Sequence, residues 1–99
     1  MGRKRIAYDE KVDVVLTEKD RSLILEETFV ETSTVRLLNL AIARGSNLVV
    51  RMTMGDLDDL LGYVAAAANH AKTRRLQDRL EGIYLRLKAI EDLYEEDEL

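Results

Sequence analysis

Ninety-nine residues with 46% apolar and 34% charged side chains suit one small folded domain with a well-solvated exterior, and argue against a disordered chain. The sequence has no cysteine, which removes disulfides, thiolate metal sites and cysteine nucleophiles and suits a reducing compartment. Fifteen basic residues against nineteen acidic ones leave a net charge of −4, a balance that speaks mildly against strong nucleic-acid binding.

At the start of the chain, Arg3, Lys4 and Arg5 are followed by Tyr8, Asp9 and Glu10 rather than by an apolar stretch. The pattern of a secretory leader therefore fails, and Ile6 stands where a myristoylation signal wants Ser or Thr. The longest purely apolar run, Val64 to Ala68, is far too short to span a membrane. The cytoplasm is the expected location, and residues 1–9 are expected to form a flexible basic arm.

From Lys11 to Thr17, Val12, Val14 and Leu16 recur at period two, the pattern of a half-buried strand. Thr17 then suits a helix N-cap, with Glu18 and Asp20 at the positive end of a helix that should run to about Thr28. Leu23, Ile24 and Leu25 would anchor it. The same arrangement recurs 36 residues on. Leu48, Val50 and Met52 alternate, Thr53 takes the cap, and Asp56 follows Thr53 as Asp20 follows Thr17, in the spacing of a capping box. The chain thus reads as two strand–cap–helix units, over 10–46 and over 47–95 (the second including the C-terminal hairpin), whose strands pair, although two amphipathic stretches can also resemble each other by chance. Between them, Ser33 is expected to cap a short helix carrying Val35, Leu38 and Ile42, with Gly45 ending it.

The second half carries two apolar stripes at helical spacing. Leu57, Leu61, Val64, Ala68 and Ala71 form the first, and Leu76, Leu80, Ile83, Leu87, Ile90 and Tyr94 form the second. The five-residue step from Ala71 to Leu76 puts them out of phase, so one straight helix would turn the stripes apart. A turn over Asn69 to Thr73 lets them meet, with Asn69 in the left-handed conformation that ends helices and Thr73 capping the next. The expected fold class is α+β: two short strands, each followed by a capped helix, packed with a C-terminal antiparallel helical hairpin. Its core should hold Val12, Val14, Leu16, Ile24, Leu48, Val50, Met52, Leu57, Leu61, Val64, Leu76, Leu80, Ile83, Leu87 and Ile90. An acidic frayed tail is expected over 96–99.

Four features bear on function. Lys72, Arg74, Arg75 and Arg79 gather at the hinge, and cations are mildly disfavoured at a helix start. They are the candidate site for an anion or nucleic acid, with ordinary solvated charge as the simpler reading. His70, the single histidine, has no ligand or partner at helical spacing, so a polar hinge residue is expected rather than a catalyst. Asp56, Asp58 and Asp59 lack the interleaved oxygen ligands of a calcium loop. Leu85, Ala89 and Leu93 form a second apolar strip roughly opposite the buried stripe, a candidate surface for self-association as a homodimer. No catalytic residue, metal, cofactor or small-molecule substrate is indicated, nor a membrane partner. The leading expectation is a non-enzymatic interaction module that self-associates through its C-terminal helices. The alternative is a nucleic-acid-binding regulator, acting through the hinge tip or in a ribbon-helix-helix-like arrangement over Lys11 to Arg44. Against the latter, Asp13 would sit on the outward strand face, where bases and phosphates favour basic or amide side chains.

Overall fold

The computed structural model describes residues 2–96. It is an α+β fold built of nine elements in chain order: β1 (Lys4–Ile6), β2 (Lys11–Thr17), α1 (Glu18–Glu27), α2 (Thr32–Asn39), β3 (Ile42–Arg44), β4 (Asn47–Thr53), α3 (Met54–Asn69), α4 (Arg74–Glu91) and β5 (Tyr94–Glu96).

The two alternating segments pair as expected. β2 and β4 run antiparallel from Lys11 opposite Thr53 to Thr17 opposite Asn47, and Val14 faces its own counterpart Val50 across the centre. A two-fold relation thus holds locally between the strands. Val12, Val14 and Leu16 of one strand and Leu48, Val50 and Met52 of the other are all buried. Lys11, Asp13, Val15, Asn47 and Arg51 face outward and are exposed.

Each strand runs directly into a helix through a reciprocal cap. The Thr17 hydroxyl accepts from the Asp20 N–H at 3.0 Å, and the Asp20 carboxylate accepts from the Thr17 N–H at 3.0 Å. Thr53 and Asp56 repeat this at 3.1 Å both ways. Two otherwise orphaned donors are satisfied at each helix start. Thr28 closes α1 from the other end, its hydroxyl donating to the Ile24 carbonyl at 2.7 Å.

The chain between the units departs from expectation. α2 stops at Asn39, and Glu31 rather than Ser33 occupies its N-cap, without a side-chain hydrogen bond. Ile42 is not helical. It lies on β3, which pairs antiparallel with β4 through Ile42 opposite Val49 and Arg44 opposite Asn47. Gly45 ends no helix: at φ +60 it is the first residue of a two-residue hairpin, Gly45-Ser46, where a positive φ is needed to match the twist of the strands. The sheet order is β2-β4-β3.

α3 and α4 form the helical hairpin. Leu57, Leu60, Leu61, Val64 and Ala68 of α3 are buried with Leu80, Ile83 and Leu87 of α4. Leu76 and Ile90, expected in the core, are only partly buried, because they lie toward the two ends of the pairing. The hinge does not use Asn69 in a left-handed conformation. His70 caps α3 at φ −106, ψ 10, and no non-glycine residue has positive φ among those described. Thr73 caps α4 as anticipated, accepting from the Leu76 N–H at 3.1 Å.

The two chain ends also differ from a free arm and a frayed tail. β1 and β5 pair in parallel, Lys4 with Tyr94, Arg5 with Glu95 and Ile6 with Glu96. The Lys4 N–H donates to the Leu93 carbonyl at 2.9 Å. Ile6 is 2% exposed and belongs to the core, so apolar burial anchors this segment. The remainder of the expected tail, 97–99, lies outside the described residues.

Candidate functional site

α4 is the element on which most of the candidate residues converge. Its buried stripe fixes its rotation, and at about 100° per residue Leu85 falls on the opposite side. Leu85 is 66% exposed and Leu93, just past the helix end, is 61% exposed. Ala89 between them is exposed too. The first half of the chain therefore does not cover this strip. Charges flank it. Lys88 contacts the Glu91 carboxylate at 2.6 Å and Asp92 at 3.6 Å, and its hydrogen bond to Glu91 pushes its pKa up.

Lys72, Arg74, Arg75 and Arg79 are all exposed at the hinge end, but they do not converge on one open anion site. Arg74 contacts Asp78 at 3.3 Å along the same helix. Arg75 and Arg79 line a cleft against α1, whose contribution includes Glu18 and Glu26 as well as Lys19. Carboxylates in the same cleft offset part of the positive potential there.

Asp56 is accounted for by its cap, and Asp58 and Asp59 point outward, exposed. His70 is exposed at the end of α3. No group of three or more metal-ligating side chains occurs among the described residues. No described helix is long and apolar enough to cross a membrane.

One ion pair stands out from these surface contacts. Asp20, 7% exposed, receives both terminal nitrogens of Arg86 at 2.8 and 2.9 Å, which ties the start of α1 to α4. Burial raises the Asp20 pKa, but Arg86 and the hydrogen bonds from Thr17 outweigh it and hold the carboxyl below its ordinary value. A bidentate, charge-assisted pair of this geometry is a structural clamp, its partners lying 66 positions apart in the chain. Nothing in helical spacing or strand alternation marks it in the sequence.

A second feature escaped sequence reasoning. Phe29, the only phenylalanine, is 99% exposed and stands on the edge of an apolar groove beside the hinge. Its position between two short helices offered the only signal: a lone aromatic in a connection, with no period to assign it inward. No protein-family model matches the chain, and no curated protein or solved structure shows significant similarity to it.

Proposed function

We propose that this chain is a non-enzymatic interaction module that pairs with a second copy of itself along the outer face of α4. The observation that carries the reading is the strip of Leu85, Ala89 and Leu93, left in water on the side of the helix that faces away from its own core. Antiparallel pairing about a two-fold axis beside Ala89 would set the strip of each copy against that of the other and bury both. The lack of cysteine suits work in a reducing compartment such as the cytoplasm.

Size limits the strength of such a contact. An 18-residue helix is about 27 Å long, and a strip some 10 Å wide covers only a few hundred Å² per copy, against roughly 800 Å² for a stable standard interface. A weak, concentration-dependent dimer is expected. Sedimentation equilibrium should show the mass of the native chain rising with concentration, and Leu85→Glu should lower the mass reached at each concentration with an unchanged circular dichroism spectrum. A native chain that remains monomeric at high micromolar concentration removes the reading.

A second reading has one specific observation in its favour. The chain holds two strand–helix–helix units whose strands form an antiparallel ribbon, a shape that can enter the major groove of a duplex. The outward face of this sheet carries Lys11, Arg44, Arg51 and Asn47, and its Asp13 is held by Arg51 at 3.5 Å. It ranks second because β3 widens the ribbon with an exposed Ile42 and because the chain is acidic overall. A mobility shift with duplex DNA at low salt, weakening with a log–log slope near −3 for about three phosphate contacts, would favour it. No shift at low salt dismisses it.

A further inference from the structure

The groove beside Phe29 lies between the end of α1 and the hinge side of the helical hairpin. It encloses about 550 Å³, and Ala66, Ala67 and Leu76 are among the side chains that line it. Small alanine side chains on α3 leave the hollow open. Glu26 and Glu27 border it from α1, and His70 and Lys72 border it from the hinge. Phe29 borders it as well, yet its ring touches almost nothing, being 99% exposed.

A fully solvated phenyl ring next to an apolar hollow that it does not fill is an unmatched pair, since burying such a ring strengthens an association by roughly ten- to a hundredfold. We infer that the ring of Phe29 docks into this groove on a second copy of the chain, which returns its own Phe29 in exchange. The surface is self-complementary. A two-fold axis lets both rings be buried at once, and it sets the acidic α1 border of each copy against the basic hinge border of the other. An unrelated partner would need the opposite charge layout, whereas a second copy already carries it.

This contact is separate from the α4 strip. Leu76, which lines the groove, belongs to the inward stripe of α4, and Leu85 lies on the other side of that helix. A chain that makes both contacts assembles past the dimer.

The chain has no tryptophan, so Phe29→Trp supplies a single reporter that keeps an aromatic ring in place. Its emission should sit at the wavelength of exposed indole in dilute solution and move to shorter wavelength as concentration rises. The same shift should persist in a Leu85→Glu background. Adding Ala66→Arg, at an exposed helical position, should raise the midpoint concentration by about tenfold or more, with the helical circular dichroism unchanged. Emission that stays exposed at every concentration overturns the inference. So does emission that is already buried at every dilution, because the ring would then be occupying its own groove. A shift abolished by Leu85→Glu assigns the burial to the α4 contact, and one indifferent to Ala66→Arg removes the groove as the receptor; either result also overturns it.

Discussion

α1 and α3 start in the same way and are held to the body of the protein by different means. Each follows a seven-residue strand, and each opens with Thr and Asp exchanging hydrogen bonds of 3.0 to 3.1 Å. Beyond that first turn they diverge. α3 runs for 16 residues and buries Met54, Leu57, Leu60, Leu61, Val64 and Ala68. α1 has 10 residues and buries only Leu23 and Ile24 of its apolar side chains, along with Asp20. The shorter helix gains from a bidentate ion pair some of what the longer one gains from leucines. Local capping starts a helix, and tertiary contacts decide how firmly it is held.

The hairpin side of this comparison should break most severely. Leu80 is fully buried between the two long helices, and Leu80→Ala should cost about 2–5 kcal/mol through lost transfer energy and the cavity left behind. For a domain this size that lowers the melting temperature by at least about 8 °C, readable by calorimetry. A loss below 1 kcal/mol would mean that the hairpin repacks freely and that its stripe is not what holds α4.

On the α1 side, Arg86→Met keeps much of the apolar stem and removes the charge. Asp20 would be left desolvated with only the Thr17 N–H and water as partners, at a cost of about 1–3 kcal/mol; the low end is favoured because the Arg86 side chain is 58% exposed. The acid dependence gives a second readout. The Asp20 pKa is lowered in the folded state, so the stabilisation is present above the unfolded carboxyl value of about 3.9 and is lost as pH falls through the folded value. Denaturation curves of the native chain and Arg86→Met should therefore draw together below about pH 4. A gap that is constant with pH would show that Arg86 acts through packing rather than through the Asp20 charge.

Much of this layout was legible because it rests on short-range rules. Strand alternation exposes Val12, Val14 and Leu16 as one face, Thr17 and Thr53 announce their helices, and the phase slip between Ala71 and Leu76 calls for a hinge. What escaped is of two kinds. Ile6, Arg86 and Phe29 depend on partners or surfaces far away in the chain, which no local period encodes. Ile42 is different. Val35, Leu38 and Ile42 satisfy a helical spacing, but Gly45-Ser46 between apolar runs is also a two-residue hairpin signal, and pairing with β4 outweighed the periodicity. The candidate site divides along the same line: the exposed strip of Leu85 and Ala89 follows from helix geometry, whereas the groove required the packing of α1 against the hinge.

The caps offer the finest comparison. Thr17→Ala and Thr53→Ala each remove one hydroxyl acceptor from the N–H three residues on, while the backbone N–H that donates back to the Asp carboxylate stays. Each should cost about 1 kcal/mol. Asp20 has Arg86 behind it and Asp56 has no such clamp, yet the lost bond has the same chemistry at both sites and nearly the same length, 3.0 and 3.1 Å. The two losses in urea denaturation should then agree to within about 0.5 kcal/mol. A markedly smaller loss at Thr17 would mean that the ion pair alone can hold the first turn of α1. A markedly larger one would mean that the cap and the Arg86 clamp reinforce each other through the Asp20 oxygen they share, Oδ2 accepting from both the Thr17 N–H and Arg86.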